Sequence, residues 1–104
     1  MRKTIATLVR TGDNYTYVSR SFEKIDDEAV ATIRGCIEED NELSLSKDEI
    51  ERCFTPSFSS LKENYDWLGD PEADFDRQGD CLWEYNDGIE IFSYILHVSI
   101  VETN

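Results

Sequence analysis

The sequence predicts an α+β domain, in which an antiparallel sheet of about four strands carries two or three helices on one face. Apolar residues alternate with a period of two near both ends of the chain, and a helical period occupies the middle. Turn residues divide each of the two strand regions. The predicted order is therefore ββ-αα(α)-ββ, with one hairpin at each end. A single acidic domain accounts for residues 1–104.

The first strand region predicts a β-hairpin over residues 3–22. β-Branched side chains alternate there with Ala6 and Leu8, which is typical of a strand. Residues 11–14 are Thr-Gly-Asp-Asn, a composition that favours a turn. The strand pattern then resumes and continues to Phe22.

Two helix starts follow the first hairpin. Asp26 or Asp27 is suited to cap the first helix. Its apolar side chains recur at helical spacing: Val30, Ile33 and Ile37. Ser46 with Glu49 three residues later has the form of a capping box, which predicts a second short helix.

A third apolar stripe follows Pro56, which either ends the second helix or opens a new one at its first position. The stripe falls on one helical face: Phe58, Leu61, Tyr65 and Leu68. Gly69 is suited to the C-terminal cap of this helix.

The last strand region contains Asp87-Gly88, which predicts a two-residue hairpin loop. That loop sets a register in which Trp83 faces Phe92. A period of two extends the same face along the last strand to Leu96, Val98 and Ile100, and we expect this face to be the core side. The opposite face carries His97 among serines and β-branched residues, and we expect it to be only partly covered.

Charge is distributed unevenly along the chain. The formal net charge is -13, but residues 1–24 contain five basic and two acidic side chains, whereas residues 25–104 contain five basic and 21 acidic ones. Such a field repels nucleic acid and anionic membranes and attracts basic protein surfaces. We therefore expect a basic protein partner, with no direct nucleic-acid contact and no membrane contact. No apolar run is long enough to span a bilayer, and no apolar signal segment follows the first residues, so a cytoplasmic location is predicted.

One group of predicted partner-binding residues lies where the first helix should end and on the second helix: Glu38, Glu39, Asp40, Glu42, Asp48, Glu49 and Glu51. Carboxylates at a helix C-terminus oppose the helix dipole, so capping does not explain the first three. The alternative is that the helix ends before Glu38.

A second predicted group surrounds an acidic connector, residues 70–80: Glu63, Asp66, Trp67, Asp70, Glu72, Asp74 and Asp76. In an extended segment its alternate carboxylates would lie on one side about 6.6 Å apart, at about 3.3 Å per residue. That spacing is similar to the spacing of charges along a nucleic-acid strand. The alternative is a solvated acidic loop. Trp67 is either an aromatic anchor for an arginine-rich surface or a side chain that closes the core under the connector.

The sequence gives little support to an enzyme, a metal site or a cofactor, and none of the three is predicted. His97 is the single histidine, and no nucleophile turn or glycine-rich phosphate loop is recognisable. Residues 74–79 resemble the first half of an EF-hand loop, but Tyr85 stands where a bidentate Glu is required. The three cysteines and the histidine lack zinc-ligand spacing, and the cysteines are expected to be buried free thiols.

These features predict a small cytoplasmic inhibitor that acts as a DNA or RNA mimic on a basic nucleic-acid-handling protein. A nuclease or a CRISPR or restriction effector would be such a target, and a phage-encoded inhibitor would act in the host cytoplasm. The analogy to anti-CRISPR and anti-restriction proteins rests on size and charge, not on a shared motif. The alternative is an immunity protein or antitoxin that neutralises a basic nuclease toxin. Either protein would act as a monomer or a homodimer.

Overall fold

A computed structural model describes residues 2–12, 16–40, 44–70 and 79–102. The described elements follow the predicted order of strands, helices and strands, so the α+β prediction is confirmed. The elements are β1 (Arg2–Thr11), β2 (Thr16–Phe22), α1 (Asp27–Glu39), α2 (Lys47–Arg52), α3 (Pro56–Ser59), α4 (Leu61–Asn64), β3 (Asp80–Asn86) and β4 (Ile91–Glu102).

The two hairpins form one antiparallel sheet in the order β2-β1-β4-β3. β1 and β4, from opposite ends of the sequence, lie side by side in the centre over ten residue pairs, from Arg2–Glu102 to Thr11–Ser93. Because this central pairing joins residues far apart in the chain, the sheet depends on non-local contacts.

One face of the sheet lies under the helices, and we call it the covered face. Its central side chains on β1 are all buried: Thr4, Ala6, Leu8 and Arg10. Tyr94, Leu96 and Val98 of β4 are buried on the same face, which confirms the core side predicted for the last strand. The helices contribute the other half of the core: Ala29, Ile33, Ile37, Phe58, Leu61, Tyr65 and Leu68.

The helix starts follow the sequence signals. Asp26 caps α1, with its side chain accepting a hydrogen bond from the amide of Ala29 at 2.9 Å. Pro56 occupies the first turn of α3, so it opens a helix.

The apolar stripe after Pro56 is buried as predicted, but α3 and α4 replace the single expected helix because the chain bends at Ser60. Gly69 has a φ of 91°, and its amide donates to the Thr4 hydroxyl at 2.9 Å.

The loop between β3 and β4 differs from the predicted two-residue turn. Trp83 pairs with Tyr94, not Phe92, so the register shifts by two residues and the loop has four. The Asp87 carboxylate stabilises the longer loop because it accepts hydrogen bonds from the amides two and three residues later, at 2.8 and 2.7 Å. Since strand side chains alternate, a shift of two leaves Trp83 and Tyr85 on their predicted face, whereas the irregularity between Cys81 and Trp83 places Cys81 opposite Ile95, on the other face.

Candidate protein-binding surface

α1 extends through Glu39, so the alternative of an early helix end does not hold. Glu38 and Glu39 lie in its last turn, which contains no basic residue. Both carboxylates therefore oppose the helix dipole, as the sequence indicated. Glu38 is compensated by Arg34 one turn earlier, at 3.1 Å. Glu39 is exposed and forms no ion pair with a described residue.

Asp40 has a structural role. One of its carboxylate oxygens accepts a hydrogen bond from Arg10 Nη1 at 2.5 Å and another from the Tyr94 hydroxyl. Arg10 is only 2% exposed and lies 4.9 Å from the centre of the Phe92 ring. A buried guanidinium requires a carboxylate partner. Asp40 therefore holds the end of α1 against the covered face. It is not part of the proposed contact surface.

The cluster of Arg10, Tyr94 and the half-buried Asp40 was not predicted from the sequence. Its signal is the alternation along β1, which places Arg10 on the same side as Ala6 and Leu8. The identity of its acidic partner depends on a contact between residues 30 positions apart. No local pattern identifies such a contact.

Arg34 joins three helices. It forms ion pairs with Glu38 of α1 and Glu51 of α2, and its guanidinium carbon lies 4.6 Å from the centre of the Phe54 ring and 5.3 Å from that of Phe58. The hydrogen bond to Glu51 is the main reason why the pKa of Arg34 is raised. The structure thus brings the predicted residues Glu38 and Glu51 together, but both pair with Arg34 of the protein itself and not with a partner.

The two other predicted residues of α2 differ in their contacts. Glu49 completes the predicted capping box, since its carboxylate accepts from the Ser46 amide at 3.2 Å and its own amide donates to the Ser46 hydroxyl at 3.2 Å. The hydrogen bond from that Ser46 amide lowers the pKa of Glu49. Asp48 lies exposed in the first helical turn and pairs with no cation among the described residues.

α4 and the turn after it expose three of the predicted carboxylates: Glu63, Asp66 and Asp70. Lys62 of α4 is directed elsewhere, because it pairs with Asp27 at the start of α1 at 2.6 Å. Glu63 and Asp66 form no ion pair within the described ranges.

Trp67 packs as part of the protein. It is half-buried against the core, and its ring centre lies 5.8 Å from that of Tyr65. Its indole NH donates to the backbone carbonyl of Asn64 at 2.7 Å. These contacts favour the interpretation in which Trp67 closes the core.

Several predicted residues lie outside the described residues: Glu42, Glu72, Asp74 and Asp76. The EF-hand-like segment lies there too, except for Gly79. Within the described ranges no group of three side chains is arranged to hold a metal ion. His97 is exposed, and the three cysteines are free and half-buried, less buried than expected.

Of the predicted partner-binding residues, four exposed carboxylates on the helical side of the sheet form no ion pair with a described residue. We call them the acidic helical surface: Glu39, Asp48, Glu63 and Asp66. α1 lies between the elements that carry the others, since it contacts α2 through Arg34 and α4 through Asp27. The helices and the turn after α4 therefore carry all four.

No described helix is both long and apolar enough to cross a membrane. Comparisons with protein-family models, with curated proteins and with solved structures find no match to this chain.

Proposed function

We propose that this protein is a small acidic inhibitor that binds the basic nucleic-acid-binding surface of a target protein. The observation that carries the proposal is the acidic helical surface, in which four exposed carboxylates form no ion pair with a described residue. A groove that binds phosphates presents Lys and Arg at the spacing of a charged strand, and exposed carboxylates are attracted to it.

The use of the chain's own cations supports the same proposal. Lys3, Arg10 and Lys62 each pair with an acidic residue elsewhere in the fold, and Arg34 pairs with two. These cations are therefore paired within the protein, and much of the net charge of -13 remains on exposed carboxylates. A large charge of one sign costs folding stability, so its retention favours an electrostatic role.

The proposed mechanism is electrostatic and steric. The acidic helical surface pairs with Lys and Arg of the target, speeds the encounter and excludes the nucleic acid from the groove. The proposal also includes the connector residues Glu72, Asp74 and Asp76, and only their spacing in the sequence supports this part of it. The mechanism includes no covalent step and no cofactor.

The test compares two variants with the same loss of charge. Glu39→Gln/Glu63→Gln/Asp66→Asn removes three carboxylates from the acidic helical surface. Glu84→Gln/Glu90→Gln/Glu102→Gln removes three exposed carboxylates from the sheet and its loop. Each immobilised protein is used to capture partners from a lysate of the source cell or its host, at low and at high salt, with duplex DNA and RNA as competitors.

We expect the wild type and the sheet variant to retain a nucleic-acid-binding protein that salt or competing nucleic acid releases. The helical variant should bind this protein at least about tenfold more weakly, since charge contacts at a desolvated interface are strong. Equal binding by both variants, or binding that salt leaves unchanged, would contradict the proposal. Capture of a basic nuclease toxin would favour the immunity-protein alternative.

A further inference from the structure

The side of the sheet away from the helices, which we call the open face, has a composition unlike the rest of the protein. One apolar row crosses all four strands, because Val18 pairs with Val9, Val9 with Ile95, and Ile95 with Cys81. Hydroxyl side chains flank this row: Thr16, Thr11 and Ser93 on one side, Ser21 and Thr7 on the other. Val18 is 63% exposed, and Val9 and Ile95 are half-buried.

The centre of the open face carries no formal charge at neutral pH on a protein with a net charge of -13. Lys3 lies near one end of the face and Glu84 near the other, and His97 lies between them. Val9, Ile95 and His97 line a shallow hollow of ≈ 420 Å³ in this region. A surface of this kind favours burial against another uncharged surface.

Both edges of the sheet are poorly suited to bind a further strand. On the β3 edge, the Thr55 amide donates to the Leu82 carbonyl at 3.0 Å, and the Glu84 amide donates to the Cys53 carbonyl at 2.9 Å. On the β2 edge, a bulge places Ser19 between the pairs formed by Val18 and by Arg20. Bulges and covered edges prevent edge-to-edge pairing. Association through the sheet is therefore directed to its open face.

We propose that the open face binds the open face of a second copy of this chain, giving a two-sheet dimer. Two copies with a net charge of -13 repel each other wherever carboxylates meet. Pairing through the uncharged face avoids that contact, because the acidic helical layers then lie on opposite outer sides of the dimer. A different acidic or basic partner would find few charges to pair with on this face.

The size of the open face predicts a weak, reversible dimer. Four strands about 4.8 Å apart, with about nine residues each at about 3.3 Å, give a face of about 600 Å². A stable interface of standard size buries about 800 Å² on each partner. The two copies should therefore exchange at micromolar concentrations, and salt should strengthen the dimer because it screens their repulsion.

The test measures oligomeric state by sedimentation equilibrium, with a thiol reductant present, over about 5 to about 500 μM, a range suited to a micromolar dissociation constant. Val18→Lys and Thr7→Lys each place a charge on the open face at a side chain that is not fully buried. Ala31→Lys makes the same change in net charge on the exposed side of α1 and is the matched control. Circular dichroism confirms that each variant is folded.

We expect the wild type and Ala31→Lys to dimerise, more tightly at high salt, and the two open-face variants to associate at least about tenfold more weakly because they bury an unpaired charge. A wild type that stays monomeric at the highest concentration and salt would overturn the proposal. A dimer that both open-face variants retain would overturn it too. Capture of a nucleic-acid-binding target is predicted to weaken with salt, so the two proposals respond oppositely and fail separately.

Discussion

The two faces of the central sheet show how one set of strands produces two different environments. Leu8 and Val9 are neighbours on β1, but Leu8 is fully buried under the helices and Val9 is half-buried on the open face. The covered face also holds the ion pair of the buried Arg10 with the half-buried Asp40, whereas the centre of the open face has no ion pair among the described residues. Strand alternation separates the residues into two sets, and the helices decide which set forms the core.

The largest expected effect tests this difference directly. Leu8→Ala should lower the free energy of unfolding by about 3 kcal/mol, because it removes a fully buried side chain and leaves a cavity. Val9→Ala should lower it by only about 1 kcal/mol, since β-propensity and partial burial are lost without a closed cavity. Urea unfolding of both variants at low protein concentration measures the contrast. Equal losses would mean that the open face is part of the folding core.

Two adjacent carboxylates give the next contrast. Asp40→Ala should lower the free energy of unfolding by about 3 kcal/mol, because it removes the carboxylate beside a buried guanidinium. Glu39→Ala should change it by less than about 0.5 kcal/mol, as an exposed surface substitution does. Thermal unfolding of the two variants tests this, and a stable Asp40→Ala protein would show that the buried pair does not hold α1 on the covered face.

Two glycines respond oppositely to the same change. A Cβ built on Gly79 would lie 1.4 Å from the Leu96 carbonyl oxygen, whereas one on Gly35 in α1 would have no atom within 4 Å. Gly79→Ala should therefore destabilise by about 2 kcal/mol or more, because backbone must move to make room. Gly35→Ala should stabilise by about 0.5–1 kcal/mol through helix propensity. A tolerated Gly79→Ala would show that β3 can move away from β4 at little cost.

The smallest effect concerns pH and the helical layer. The hydrogen bond from the Ala29 amide lowers the pKa of Asp26, so this carboxylate stabilises the fold above its unfolded pKa of about 3.9 and loses that contribution as pH falls through its folded pKa. Asp26→Asn keeps a capping side chain but does not titrate. It should be slightly less stable than wild type at pH 7, and this difference should shrink as pH falls through the folded pKa of Asp26. Glu28→Gln, in the same turn without the cap, is the control, and a pH-independent difference for Asp26→Asn would contradict the assignment.

Local patterns predicted the elements well where the physics is local. Alternation at both ends, the cap at Asp26, the box at Ser46 and the proline at the start of α3 all depend on residues within one turn of each other. The length predicted for the loop after β3 was wrong, although the interaction that sets this length is also local. Asp87 with Gly88 favours a two-residue turn, but the Asp87 side chain binds two later amides and lengthens the loop.

The candidate surface was only partly predictable. Composition identified the carboxylates, but not which of them the protein uses internally, because that depends on the cation beside each one. Asp40 pairs with Arg10, and Glu38 and Glu51 both pair with Arg34, whereas Glu39, Asp48, Glu63 and Asp66 form no ion pair with a described residue. Trp67 likewise packed on the core through contacts that its neighbours in sequence do not reveal.

By itself the sequence determined the strand and helix periods, the net charge of -13 and its concentration after residue 24. These properties follow from residue type and short-range spacing, and neither depends on how the chain folds. Tertiary structure alone decided the central pairing of β1 with β4, the burial of Arg10 against Asp40 and the uncharged open face. Each of these joins residues distant in the chain, and only the packed geometry brings such residues together.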